Sequence, residues 1–316
     1  MIRVRKASLM DYSQIWQVHA SDIDQWVDEL GRVDMEIWQR TSMAERWLAG
    51  GPWMSPETCA IHLNALLLAG QTPLVASRGQ KLLGEAELWL GQDRTFGGLA
   101  LNISVLYVHR LARGHGVGSA LLTEILRRAR VYDCSAVTVH NPSTQAEHLY
   151  RRFGLKEEQL QSTLVISTRT EPVSVGVDLV AAPWPRTHQP LAELSFWAGT
   201  YQTSQQCWQQ LTWALQPGLY ALPLKPVEEG MTLACQSVDN PAYLCLRPLG
   251  NGQNAELYIW SRHIDGDLVA AAMPWARKFG IQQLQIVAGQ EVTNRLETRF
   301  GGQAVPGHKR LILRMH

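Results

Sequence analysis

The clearest pattern in the chain lies between residues 101 and 156. Leu101 to His109 is rich in Ile, Val, Leu and Tyr, which predicts a strand. Arg113-Gly114-His115-Gly116-Val117-Gly118 then predicts a turn whose glycines leave the backbone N–H groups bare. From Ser119 to Arg130, Leu121, Leu122, Ile125, Leu126 and Ala129 share one face, and Thr123, Glu124, Arg127 and Arg128 the other. That is helical periodicity, with Glu124 and Arg128 spaced for an i,i+4 pair. A second strand, Ser135 to His140, and a second helix follow.

Upstream, Ile2 and Val4 alternate with Arg3 and Arg5, as in an opening strand. Ser8 and Asp11 are spaced like a capping box ahead of a helix over Tyr12 to Ala20. Residues 21–70 read as largely helical, broken at Gly50-Gly51-Pro52, and strands are expected over Pro73 to Ser77 and Leu82 to Leu90. Ser162 to Thr168 suits a closing strand, and the prolines at 172, 183, 185 and 190 mark a domain boundary near residue 172.

The second half repeats this order in worn form. Leu257-Tyr258-Ile259 matches Leu106-Tyr107-Val108, Leu268 to Phe279 matches the first motif helix, and Leu284 to Val287 matches the strand after it. Leu296-Glu297-Thr298-Arg299-Phe300-Gly301 echoes Leu149-Tyr150-Arg151-Arg152-Phe153-Gly154. Two domains are therefore expected, 1–172 and 173–316.

A strand that feeds a glycine turn opening a helix is an anion site, because unpaired N–H groups and the positive end of the helix dipole converge there. No Gly-Lys-Ser/Thr closes the turn as in a P-loop, and no acid ends the next strand as in a dinucleotide fold. The residues instead resemble the GNAT family of N-acetyltransferases. Its cofactor turn, Gln/Arg-x-x-Gly-x-Gly/Ala, is matched by Arg113, Gly116 and Gly118. Its later helix, Asn-x-x-Ala-x-x-Leu-Tyr-x-x-x-Gly-Phe, is matched by Ala146, Leu149, Tyr150 and Gly154, with Ser143 at the Asn position and Leu155 at the Phe.

The resemblance implies a mixed α/β (α+β) fold of two tandem GNAT-like domains, each a mostly antiparallel sheet flanked by helices. It implies acetyl-CoA as acyl donor, its pyrophosphate on the N–H groups of Arg113, Gly114, His115, Gly116, Val117, Gly118 and Ser119. The pantetheine arm would pair with the main chain of Leu106, Tyr107 and Val108, and Ser143 would stand at a further cofactor contact. Tyr150 is the candidate proton donor to the leaving thiolate. The strand carboxylate common in the family is replaced by Ser104, with Asn102 on the same face. Glu85 and Glu87 on the preceding strand could take up the amine proton instead, with Glu87 the candidate base; solvated strand-face glutamates are the competing reading. In the second copy, Asp265 or Asp267 stands where the glycine turn should be, able to cap its own helix and repel a diphosphate. That copy is expected to have lost the cofactor site and to cover or complete the first.

Composition narrows the choice. A formal charge of +1 gives no electrostatic case for nucleic acid or an anionic membrane. Five scattered cysteines suit reduced thiols in a cytoplasmic protein, and no apolar run reaches spanning length. Scattered histidines give no metal-ligand spacing. Five of the twelve tryptophans, at 16, 26, 38, 47 and 53, fall in the helical region with Asp22, Asp24, Asp28, Glu29, Asp34 and Glu36. Rings and acids together could receive a cationic amine, or could be core and solvated helix face. The expected function is acetyl transfer from acetyl-CoA to a primary amine, small or on a peptide, by a monomer or homodimer. A non-catalytic acyl-CoA-binding module is the alternative, and the near-neutral charge disfavours a transferase that uses charged tRNA.

Overall fold

The computed structural model describes residues 1–93, 96–170, 177, 179–180, 190, 193–199, 203–214, 232–235, 241–249 and 252–315. The boundary expected near residue 172 lies outside the described residues. The first half runs β1 (Arg3–Lys6), α1 (Tyr12–Ala20), α2 (Met35–Arg40), α3 (Met43–Leu48), α4 (Pro56–Leu68), β2 (Leu74–Arg78), β3 (Lys81–Asp93) and β4 (Gly98–Val108). It continues with α5 (Val117–Val131), β5 (Ala136–His140), α6 (Thr144–Arg152) and β6 (Lys156–Ser167). The second half contains β7 (Leu179–Val180), β8 (Ser195–Ala198), α7 (Ser204–Ala214), β9 (Thr232–Cys235), β10 (Ala242–Leu249) and β11 (Asn254–Ser261). It closes with α8 (Gly266–Lys278), β12 (Gln283–Gly289), α9 (Gln290–Phe300) and β13 (Gln303–Arg314).

Local chemistry explains the main elements. The Asp11 carboxylate accepts from the Ser8 N–H at 2.7 Å and from Arg5, fixing the chain as it enters α1. α4 starts on Ser55, whose hydroxyl accepts from the Thr58 N–H, with Pro56 at the first helical position. α5 buries Leu121, Leu122, Ile125, Leu126 and Ala129, the face its periodicity predicts. Arg127 and Arg128 both clasp Glu124 and hold its carboxyl down at about 2.

Strand pairing joins the halves. The order is β1-β2-β3-β4-β5-β13-β6-β12-β11-β10-β9-β7, one continuous sheet rather than two separate ones. β13, the last strand, sits between β5 and β6 of the first half, with Leu311 opposite Val139 and again opposite Glu157. In return β6 pairs with β12, Leu164 opposite Ile286. Each half thus lends its final strand to the other. Packing agrees, since Leu164 and Ile166 of β6 lie in the second half's core and Leu311 of β13 in the first half's. Each such side chain contributes roughly 1.5–3 kcal/mol of burial to the half that did not encode it.

In the first half, α5 and α6 cover one face of the sheet, over Leu88, Ile103 and Val137. α1 and α4 cover the opposite face, over Val75, Trp89, Val105 and Tyr107. Trp16, Trp26, Trp38, Trp47 and Trp53 are all buried among these helices. The acids around them are committed elsewhere: Asp24 to Arg110, Asp28 to Arg32, Glu36 to Arg40, and Asp34 to the start of α2. Rings as core and acids as helix face is the reading that holds for Trp16, Trp26, Trp38 and Trp47 and for these four acids. Among the described residues no helix is long and apolar enough to cross a membrane, and no cluster of His, Cys, Asp or Glu could hold a metal.

Candidate active site

β4 is fully paired with β3 but only briefly with β5. The parallel ladder runs from Ala100 opposite Ala136 to Ile103 opposite Val139 and stops. There β4 carries a bulge: Glu87 faces Val105 while Leu88 faces Ile103, so Ser104 is the additional residue. From Ser104 to Val108 no described strand pairs with the β5 side of β4, and this edge is open to a ligand except at the Val108 carbonyl, which accepts from Arg113.

The glycine turn is next to that edge. Gly114 and Gly116 have φ of 75° and 83°, the left-handed region, and a Cβ at either would meet nothing within 4 Å. Backbone angle, not crowding, calls for glycine at both. Gly116 caps α5 without any side-chain bond, and the first bond of the helix runs from the Ala120 N–H to the Gly116 carbonyl. The N–H groups of Val117, Gly118 and Ser119 therefore have no acceptor among the described residues, at the positive end of a 15-residue helix. At Gly118 a Cβ would lie 3.0 Å from Leu149 of α6, 3.8 Å from Leu106 and 3.9 Å from Val108. The turn, the open edge and α6 converge on that one residue. Gly116→Ala is expected to cost about 1–2 kcal/mol of stability, the steric cost of a left-handed L-residue, read as a lower midpoint in denaturant unfolding.

The side chains of the predicted cofactor residues divide. His115 Nδ1 lies 2.7 Å from the Arg113 carbonyl, holding the exposed turn closed. The Arg113 guanidinium turns away from the helix start, donating to the Val108 carbonyl at 3.1 Å and pairing with Asp22. Asp22 also accepts from the Tyr107 hydroxyl, and burial, then Asp22, push that phenol's pKa up. The Ser143 hydroxyl caps α6, accepting from the Ala146 N–H at 3.3 Å. Tyr150 of α6 is buried in the core that carries Val117 and Leu121. Among the described residues its hydroxyl has no hydrogen-bond partner, and burial alone raises its pKa, so it stays protonated at neutral pH.

Glu85 and Glu87 are not solvated strand-face residues. Both are at least 97% buried, because α1 and α4 lie over that face of β3 and aim histidines into it. His19 Nε2 is 2.7 Å from Glu85 Oε1, and His62 Nε2 is 3.0 Å from Glu87 Oε2. The other Glu87 oxygen accepts from the Trp89 indole. Burial pushes Glu87 up, but the His62 charge and hydrogen bond, with those of Trp89 and Ser104, outweigh it and hold it below the usual carboxylate range. Burial wins at Glu85, whose carboxyl is raised and whose second oxygen has no partner among the described residues. Trp53 separates the two pairs, 5.3 Å from His19 and 4.5 Å from His62 between ring centroids. His19 in turn stacks on Tyr107 at 4.2 Å. The sequence offered no signal for either histidine, since each is alone on its helix.

The corresponding places in the second half are filled. β11 pairs with β12 only over Asn254 to Glu256, and beyond that β8 takes the edge, with Trp260 opposite Phe196 and Ser261 opposite Ser195. The Gly199 N–H then reaches the Val287 carbonyl of β12 at 2.8 Å, so β8 lies between the two diverging strands. At the start of α8, Asp265 accepts from the Asp267 N–H at 2.8 Å, the self-capping the sequence predicts, and Arg299 pairs with Asp267.

Comparison with known proteins agrees with this geometry. Residues 28–155 match the acetyltransferase (GNAT) family model. Among solved structures, a GCN5-related N-acetyltransferase from Anabaena variabilis is similar at TM-score 0.63 and 14% identity, covering 99% of this chain and 72% of that one. Another, from Kribbella flavida, is similar at TM-score 0.56 and 13% identity, with coverage of 99% and 72%. Identities this low show a shared fold, and the likeness extends over both halves. No curated protein matches the sequence. A turn with free N–H groups, a β4 edge left open by β5 and a matching family model identify residues 28–155 as a domain of the GNAT acetyltransferase family.

Proposed function

We propose that the first half transfers an acetyl group from acetyl-CoA to a primary amine by direct attack, and that the second half binds no acyl-CoA. One observation carries this reading. Free N–H groups and an open strand edge meet at Gly118 in the first half, while β8 and Asp265 fill both places in the second. The N–H groups of Val117, Gly118 and Ser119 hold the diphosphate, with those of Gly114, His115 and Gly116 beside them, whereas the Arg113 N–H, expected to join them, is turned to the Arg110 carbonyl at 3.4 Å; the main chain of Leu106, Tyr107 and Val108 pairs with the amide-bearing arm. The Ser143 hydroxyl, already capping α6, lines the same route. Acetyl-CoA supplies an activated thioester, and the chain supplies position and proton transfer.

Glu87, ionised beside His62, accepts the proton of the attacking ammonium, and the Ser104 hydroxyl at the bulge donates to the Glu87 main-chain carbonyl at 3.4 Å. The amine nitrogen bonds to the acetyl carbon, the carbon–sulfur bond breaks, Tyr150 protonates the departing thiolate, and the second proton that the nitrogen sheds on becoming an amide restores the phenol. Because a thiolate leaves readily even unassisted, Tyr150→Phe is expected to slow turnover only about tenfold to a hundredfold, leaving acetyl-CoA affinity intact.

Calorimetric titration with acetyl-CoA, together with coenzyme release over a panel of small amines and peptides, tests the reading. One molecule bound per chain and turnover with at least one amine are expected. The replacement of a β4 carboxylate by Ser104 favours a second reading, a binding module without catalysis, and binding without turnover across the panel would establish it. Failure to bind acetyl-CoA would remove both.

A further inference from the structure

α7 belongs to the second half but docks on the first. It is buried almost throughout, from Ser204 to Trp213, and three contacts fix its place. Gly91 of β3 is glycine where α7 arrives: a Cβ there would fall 2.1 Å from Gln205 Oε1. Asn102 Nδ2 donates to Gln206 Oε1 at 2.9 Å while Asn102 Oδ1 accepts from Thr138 at 2.9 Å, so α7 is tied to β4 and β5 near where they part. At its far end the Trp213 ring lies 6.0 Å from His62 and 5.5 Å from Trp89 between centroids.

His62 and Trp89 are the two side chains that hold the oxygens of Glu87. A single indole from the other half therefore backs both donors. Trp53 also meets His62, edge to face at 4.5 Å, so the imidazole has a tryptophan neighbour from each half. We propose that Trp213 is a positioning residue: the second half, through α7, holds the His62–Glu87 pair in its bonded and water-excluded arrangement, completing the acid–base site of the first half. The inference rests on the acyltransferase reading above and names what the second half contributes to that site.

The groups facing Glu87 are few. Among the described residues they are His62 from α4, the Trp89 indole and, two residues back on the same strand face, Glu85 with its partner His19, and Ser104 from β4; α7 brings Trp213 and no charge. Removing the ring admits water to the pair. Screening then weakens the hold of His62, and the carboxyl relaxes upward from its depressed position toward the ordinary value.

The test is the pH profile of kcat/KM for the full chain, comparing the unmodified protein with Trp213→Phe, Trp213→Leu and Trp213→Ala. For Trp213→Ala the acid limb is expected to move to higher pH and kcat to fall at least tenfold, while acetyl-CoA affinity measured by titration changes less than twofold. Trp213→Phe, which keeps a ring against His62, is expected to restore the profile. Trp213→Leu fills the space without a ring and gives the same answer if the alanine variant does not fold. A purely structural ring would scale the whole profile by the folded fraction, and an acid limb unmoved in both the leucine and alanine variants would overturn the proposal. Absence of acetyl-CoA binding by the unmodified chain would instead sink the acyltransferase reading, so the two failures are separate.

Discussion

A chain cut after residue 302 is expected not to fold cooperatively, although it retains every residue of the first half. The cut removes β13, whose Leu311 and Ile312 are at least 97% buried in first-half clusters that include Val139 and Ala136. It also strips β5 and β6 of their shared neighbour, exposing two unsatisfied edges in the middle of the sheet. Losing two large buried side chains costs roughly 3–6 kcal/mol, before the unpaired backbone is counted. Whole-domain stability is only about 5–15 kcal/mol. Circular dichroism melting would show the loss as the absence of a sharp transition. A truncated chain melting within a few degrees of the full one would mean that the strand exchange contributes little.

Glu87→Gln should give the largest catalytic loss. The amide is nearly isosteric and can still accept from the Trp89 indole, but it cannot take a proton from an ammonium. Turnover is expected to fall by about 10²–10⁴, the usual worth of a general base, with acetyl-CoA affinity unchanged in titration. A rate within threefold of the unmodified enzyme would remove Glu87 from the mechanism. The same residue sets a pH trend for folding. Because its folded pKa is depressed, the pair's stabilisation is present above the ordinary carboxylate value of about 4.3 and is lost as pH falls through the depressed one.

What could be read from the sequence was what local rules decide. α1 spans the residues its periodicity and the Ser8–Asp11 entry predict, and α5 starts within the glycine turn as an anion-binding helix should. The second half's Asp265 cap was legible for the same reason, since capping is a matter of neighbouring residues. Partners set by distant parts of the chain were not legible. β6 and β13 are similar 12-residue strands, and nothing local tells either one which fifth strand to join. His19 and His62 gain their meaning only when two helices cross β3. The burial of Glu85 and Glu87 did leave a trace: Trp89 is on the same strand face, and a tryptophan in that alternation marks a face turned inward. β8 is too short to announce that it pairs with β11, and α7 gives no sign in its sequence that it docks across the halves.

The contrast between the two diverging strand pairs has a consequence for handling the protein. In the second half, β8 is a built-in companion that cannot diffuse away, so that opening is sealed in every molecule at every concentration. In the first half the stretch from Ser104 to Val108 is sealed only while something is bound to it. An empty molecule thus carries a short naked β-edge of the kind that recruits other chains into aggregates, and under the proposed function the acyl donor, or the coenzyme left after reaction, would double as its cover. The nucleotide would then be a storage additive with a structural rationale, covering the opening between β4 and β5 as β8 covers the one between β11 and β12.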